Sequence, residues 1–274
     1  MSEAGEAVLP KAEFHSADEW LELFQDKTRT HGILAPIYGD NADVISQRTP
    51  RYVTALTEAS KTFGADRQVA LVRSPSRINL RGMHSEMQHA SPNYLSHGRE
   101  VIMVVEKRQD DQVVIHNANA ERFPPRHFRI SEEMARGPWG TWTDYIDGDG
   151  VRRSLEAARG DWSNYVKASV LVLQDHVGEN PMSGMNVMVC GDIPLVGGMS
   201  SSSAMVVASG LACVAVNDMQ LGREELVILL GRGEWYVGTR GGFGDHGAML
   251  LARYGGIVHT PFVSVEGLKP EYID

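Results

Sequence analysis

The sequence predicts an α+β fold, in which helices and strands interleave without a strict βαβ repeat. Three observations carry this reading. Short runs rich in β-branched residues at 69–72, 101–105, 113–116 and 185–190 have the length and composition of strands. Stretches at 161–177 and 224–237 have the length and patterning of helices. Hydrophobic residues make up 42% of the 274 residues, enough for a sizeable core.

Residues 1–15, acidic and broken by Pro10, read as a flexible leader, and residues 16–274 as one domain. Ser16 and Asp18 can cap a helix that carries Trp20, Leu21 and Phe24 on one face and ends before Gly32. Thr49-Pro50 opens a second helix, with Tyr52, Val53 and Leu56 on its apolar face and Gly64 closing it. The strand at 69–72 resumes at 78–80 after a break at Pro75. Residues 101–105 and 113–116 pair around an Asp110-Asp111 turn, and 128–130 add a third strand. Between 132 and 161 the pattern is irregular, with Pro138, Trp139 and Trp142, and reads as an ordered insertion. Asp147-Gly148-Asp149-Gly150 is a turn rather than a calcium loop, since the later ligands and the terminal Glu of such a loop are missing. Gly178 closes the helix at 161–177. The strand at 185–190, a serine-rich loop and a helix at 205–216 follow. The helix at 224–237, a glycine-rich turn at 241–244 and a strand at 256–259 complete the order.

The net charge of −9 disfavours nucleic acid or an anionic membrane as the main partner, because both need a basic face. Two cysteines, Cys190 and Cys213, lie in apolar segments and read as buried free thiols. No run has the length of a signal-peptide core or a spanning helix, which makes a cytoplasmic protein the default expectation.

The most informative stretch runs through Gly197, Gly198, Met199, Ser200, Ser201, Ser202 and Ser203. It lies where a strand turns into a helix. N–H groups at a helix start lack intrahelical partners and carry partial positive charge, glycines let the backbone close around an anion, and hydroxyls reach phosphate or magnesium. The lack of Gly-Lys-Ser/Thr separates it from a Walker loop. A plain Gly/Ser turn with a serine cap is the simpler alternative.

The string resembles the second motif of the GHMP kinases, Pro-x-x-x-Gly-Leu-Ser-Ser-Ser-Ala, and with Gly191-Asp192-Ile193-Pro194 before it most resembles galactokinases. Arg77, Asn79, Leu80, Gly82 and His84 match the galactokinase signature Gly-Arg-Val-Asn-Leu-Ile-Gly-Glu-His. The stretch from Tyr236 to His246 is similar to Tyr-Val-Gly-x-x-Cys-Gly-x-Met-Asp-Gln, and Trp162, Asn164, Tyr165, Val166 and Lys167 match a Trp-x-Asn-Tyr-Val-Lys helix. The resemblance spans residues 52–260 in order.

It implies the GHMP N-terminal fold, of the ribosomal-protein-S5-domain-2 type, with extra N-terminal helices. It also implies transfer of a phosphoryl group from ATP, with Mg²⁺, to the anomeric hydroxyl of galactose or a related sugar. Asp245 would take or orient the hydroxyl proton, and Arg77 would steady the moving charge. Residues 197–203 would hold the phosphates, His84, Glu86 and Asp245 the sugar, and Ser201 with Glu234 the metal. Asp245 as a helix cap and Arg77 as a surface arginine are the alternatives on the residues alone.

Four departures stand out. Met83 replaces an acidic sugar ligand and Glu86 an aspartate; the spacing of His84, Glu86 and His89 fits no zinc pattern. Glu234 lies four residues before Gly238 where the family has five, a rotation of about 100° on a helix. His246 follows Asp245 where the family has Gln. Nothing after Phe262 supplies the family's third glycine-rich motif, so a second domain is expected in cis or as a separate chain. Without it the fragment is expected to be weakly active, because closure needs both walls. A non-catalytic sugar or nucleotide sensor on this fold is the competing function.

Overall fold

The computed structural model describes residues 8–82, 91–137, 140–195, 197–260 and 270–273. The first layer consists of α1 (Ala17–Gln25), α2 (Lys27–Tyr38) and α3 (Ala42–Phe63), preceded by the short β1 (His15–Ser16). The sheet is built from β1, β2 (Gln68–Arg81), β3 (Asn93–Lys107), β4 (Gln112–Asn117), β5 (Arg126–Arg129) and β6 (Met185–Gly191), in the order β1-β2-β3-β6-β4-β5. β6 thus inserts between β3 and β4, and the pairing of 101–105 with 113–116 expected from the sequence does not form. Between β5 and β6 run α4 (Ile130–Met134), α5 (Trp142–Asp147), α6 (Asp149–Ala157) and α7 (Asn164–Val177). After β6 come α8 (Ser201–Asn217), α9 (Arg223–Glu234), a 3₁₀ turn at Trp235–Val237, α10 (Gly244–Leu251), β7 (Ile257–His259) and β8 (Glu271–Ile273). β7 pairs with β3 and with β8. Only the β4–β6 pairing is parallel among the described strands.

Strand alternation builds two cores. Val101, Met103 and Val105 of β3 join Met185, Val187 and Val189 of β6 in the core under α4–α10. Ile102, Val104, Met188 and Cys190 point the other way, into the core under α1–α3. A valine or isoleucine buried on such a face contributes about 1.5–3 kcal/mol. Both cysteines are buried and free.

The first layer departs from the sequence reading at three places. The first helix stops at Gln25, because Asp26 turns away and accepts the N–H groups of Thr28 and Arg29 to start α2, which runs through Gly32. Burial of Thr30, Leu34 and Tyr38 outweighs the glycine. The third helix starts at Ala42, capped by Asn41, and holds Pro50 inside it. An internal proline costs about 3 kcal/mol. Ile45 in the core and Arg48, bound to two carboxylates, hold the turn that Pro50 would otherwise break.

Residues 8–15 of the expected leader lie along the body. Val8 bridges Gly222, Leu9 N donates to Leu221 O at 3.1 Å, and Leu9, Ala12 and Phe14 pack on the α4–α10 core. The insertion folds as α4–α6. Asp147 there pairs with Arg240 at 2.5 Å, a structural use of the Asp-Gly-Asp-Gly turn.

Candidate active site

β2 slips in its ladder with β3 between Pro75 and Ser76. Such irregularities re-aim side chains. Upstream of the slip, Arg73 faces the first layer, where its Nε donates to Glu100 Oε2 at 2.5 Å. Downstream, Arg77 faces the other layer and meets α10. Four residues apart on an unbroken strand, the two would share a face.

Arg77 is 4% exposed. Its Nε donates to Asp245 Oδ1 at 2.6 Å and its Nη2 to Asp245 Oδ2 at 2.8 Å. Its Nη1 donates to the carbonyl of Gly198 at 2.6 Å. One guanidinium thus ties the aspartate at the start of α10 to the loop at the start of α8.

That loop carries two residues in the left-handed region, Gly198 at φ 66° and Ser200 at φ 52°. Ser200 is the N-cap of α8, yet its side chain makes no capping bond. Its hydroxyl donates to Asp245 Oδ2 instead. The first-turn N–H groups of α8 are therefore left without a side-chain cap, at a helix end that attracts anions. Gly197 and Gly198 are exposed, Met199, Ser200, Ser201 and Ser202 are half-buried, and Ser203 is buried.

Burial alone would raise the Asp245 carboxyl. The Arg77 fork and the Ser200 hydroxyl outweigh burial and hold it below the ordinary aspartate range. The group is an ionised acceptor at neutral pH.

Glu234, at the end of α9, forms a second cluster. Its Oε2 accepts the Ser203 hydroxyl at 2.8 Å and stands 3.0 Å from His246 Nε2. Burial raises its carboxyl, and His246 and Ser203 more than offset this. The hydroxyl bound to Glu234 is that of Ser203; Ser201, named with Glu234 for the metal, starts the same helix, α8. The Ser203–Glu234–His246 cluster was not legible in the sequence, since its members lie far apart in the chain and no motif joins them.

His84 and Glu86, read as sugar ligands, lie outside the described residues, as do Met83 and His89. Arg77, Gly198, Ser200 and Asp245 come together, and Ser203 and Glu234 join each other beside them, through His246 next to Asp245. No group of three or more His, Cys, Asp or Glu suited to a metal occurs among the described residues. No helix among them is long and apolar enough to cross a membrane.

Residues 164–253 match the family model for the GHMP kinases N terminal domain. Over these residues the chain carries the sequence of a GHMP kinases N terminal domain. It is 29% identical over 205 residues to a galactokinase of Dictyostelium discoideum, covering 74% of this chain and 37% of that protein. A galactokinase of Candida parapsilosis is 25% identical over 221 residues, covering 79% of this chain and 40% of the relative. The fold superposes on Lactococcus lactis galactokinase complexed with galactose with a TM-score of 0.65 at 24% identity, over 81% of this chain and 51% of that one. The chain thus spans about two fifths of the length of these two curated relatives. The GHMP kinase N-terminal fold here carries N-terminal helices, as the sequence leads one to expect, three in number where the sequence placed two.

Proposed function

We propose that this GHMP domain belongs to an ATP-dependent sugar kinase that phosphorylates the anomeric hydroxyl of a monosaccharide, galactose or a related sugar. The observation that carries the reading is the Arg77–Asp245–Ser200 constellation at the uncapped start of α8. Asp245 accepts the proton of the sugar hydroxyl as its oxygen bonds to the γ-phosphorus and the bond to ADP breaks. Arg77 has five N–H donors, of which three are used among the described residues, and its remaining donors would serve phosphoryl oxygens. The N–H groups of residues 198–203 would hold the nucleotide phosphates, a role supported by the uncapped start of α8.

The donor set fits a hard cation of the magnesium type, which favours oxygen ligands and takes several from phosphate. Ionised Glu234 and the hydroxyl of Ser201 or Ser203 would hold it. When bound, it neutralises phosphate charge. The second half of the kinase, in cis or as another chain, closes the site against water.

Incubation of the complete kinase with Mg²⁺, ATP and a panel of monosaccharides tests the reading. Release of ADP together with a sugar 1-phosphate, followed by phosphorus NMR, is expected for one or a few sugars. Nucleotide binding without turnover on any sugar would leave the sensor function, which Met83 in place of an acidic ligand favours. An absence of nucleotide binding would remove both.

A further inference from the structure

A second charge cluster lies on the first-layer side of the sheet, close behind the site. The side chain of Glu100 is fully buried. Its Oε1 accepts Arg48 Nη2 at 2.7 Å and the hydroxyl of Tyr38. Its Oε2 accepts Arg73 Nε at 2.5 Å. Tyr52 and Tyr38 share a hydrogen bond of 2.8 Å between their hydroxyls. Burial and the Glu100 charge push the Tyr38 phenol up to about 12, so it stays a donor at neutral pH.

Arg48 also reaches Asp192, Nη1 to Oδ2 at 2.6 Å. Asp192 is stitched to β3 by three further bonds. Its Oδ1 accepts Glu100 N at 2.9 Å, its N donates to Glu100 O at 3.1 Å, and its carbonyl accepts Arg99 Nη1 at 3.0 Å. Arg48 and Arg73, with Arg51 4.0 Å from Asp192, face two carboxylates, Glu100 and Asp192. A buried ion network of this kind is weak evidence of stabilisation, because desolvation offsets the Coulombic gain. Its placement is more informative. Asp192 is the first residue after β6, two before Pro194, where the serine loop begins. Pro75, the partner of Glu100 across the ladder, marks the irregularity that lies between Arg73 and Arg77. One arginine from α3 therefore ties the end of β6, just before the serine loop, to β3 at the residue opposite Pro75.

We propose that Arg48 is a positioning residue for the phosphate site: by clamping Asp192 to Glu100 it sets the root of the serine loop and hence where the N–H groups of residues 198–203 stand. The effect on nucleotide rests on the kinase reading; the clamp on the loop does not.

Amide hydrogen exchange and steady-state kinetics on the complete kinase, with Arg48→Met, Arg48→Lys and Asp192→Asn, test this. In Arg48→Met and Asp192→Asn, amides of residues 193–204 are expected to exchange about tenfold faster while those of α7 stay protected, the mark of local loosening. The KM for ATP is expected to rise about tenfold, since small misplacements at such a site are costly, while the KM for the sugar stays put. Arg48→Lys, which keeps the charge but loses the fork, is expected to fall between. Asp192→Asn is near-isosteric and leaves Arg48 paired with Glu100, so it carries the test if Arg48→Met does not fold. Unchanged loop exchange in a folded variant overturns the clamp. Faster exchange with an unchanged KM for ATP overturns its role in nucleotide binding. A wild-type protein that binds no Mg-ATP removes the kinase reading instead, and loop exchange still decides the clamp.

Discussion

Arg77 and Asp245 lie 168 residues apart in the chain and meet in a two-pronged ion pair, with contacts of 2.6 and 2.8 Å. The arginine side chain is 5% exposed and the aspartate 22%. The cation is the more deeply buried of the two. Parallel N–H···O bonds of this type fix orientation as well as charge. A carboxylate held this way is fixed in one orientation, which is what the proton-accepting role proposed for it requires.

Asp245→Asn keeps the shape of the side chain and removes its charge. Turnover by the complete kinase is expected to fall by about 10²- to 10⁴-fold, the usual share of a general base. The affinity for nucleotide should stay close to that of wild type. Steady-state kinetics with calorimetric titration of the nucleotide checks both, and turnover close to wild type would take Asp245 out of proton transfer.

Ser200 combines a left-handed backbone with a hydroxyl bound to a carboxylate. Ser200→Ala keeps the backbone cost and loses a charge-assisted bond, for a loss of about 1.5–3 kcal/mol. Ser200→Gly loses the same bond but relieves a left-handed conformation that costs an L-residue about 1–2 kcal/mol. The glycine variant should therefore be the more stable of the two in urea unfolding. The reverse order would mean that the φ of Ser200 is not a source of strain.

Gly233 precedes Glu234 and lies against α7. A Cβ there would stand 2.8 Å from the carbonyl oxygen of Ala168 and 2.7 Å from Val172 Cγ1. The backbone oxygen cannot rotate away, so Gly233→Ala must push α9 off α7. A cost of about 1–3 kcal/mol is expected, as for other overpacked cores. Displacing Glu234 should also raise the Mg²⁺ concentration needed for half-maximal rate. A metal titration and a thermal melt measure the two effects separately.

Asp192, Asp245 and Glu234 all sit below their ordinary ranges. Burial raises each carboxyl, and Arg48 on Asp192, Arg77 on Asp245 and His246 on Glu234 more than offset it. A carboxyl depressed by folding contributes stability that is complete above its unfolded pKa, about 4, and lost as pH falls through the folded value. The melting temperature should hold from about pH 7 to about pH 5 and then decline. Asp192→Asn should flatten that acid limb. An acid limb as steep as that of wild type would show that Asp192 contributes nothing to it.

Much of the fold was legible because periodicity and turn residues are local signals. The strand at 185–190 and the cap at Gly178 needed only neighbours in sequence. The start of α3 was hidden by Pro50, whose local preference to open a helix is overridden by contacts of Arg48 with Glu100 and Asp192, 52 and 144 residues away. The leader reading of residues 8–15 missed that Leu9, Ala12 and Phe14 cover the core, because three apolar residues in a polar stretch give no periodic signal.

At the site, residue identity came from sequence and partnership from the fold. Arg77, Ser200, Glu234 and Asp245 could be named because short motifs carry them in order. That Ser200 spends its hydroxyl on Asp245 rather than on its own helix, and that Ser203 is the serine on Glu234, depended on how α8, α9 and α10 pack. The sequence by itself determined which segments become helix and strand over most of the chain, because those choices are made by neighbouring residues. The tertiary structure alone decided which charges meet, because an ion pair depends on distance in space: Arg73 and Arg77, on either side of the ladder irregularity at Pro75, face opposite layers and find Glu100 and Asp245.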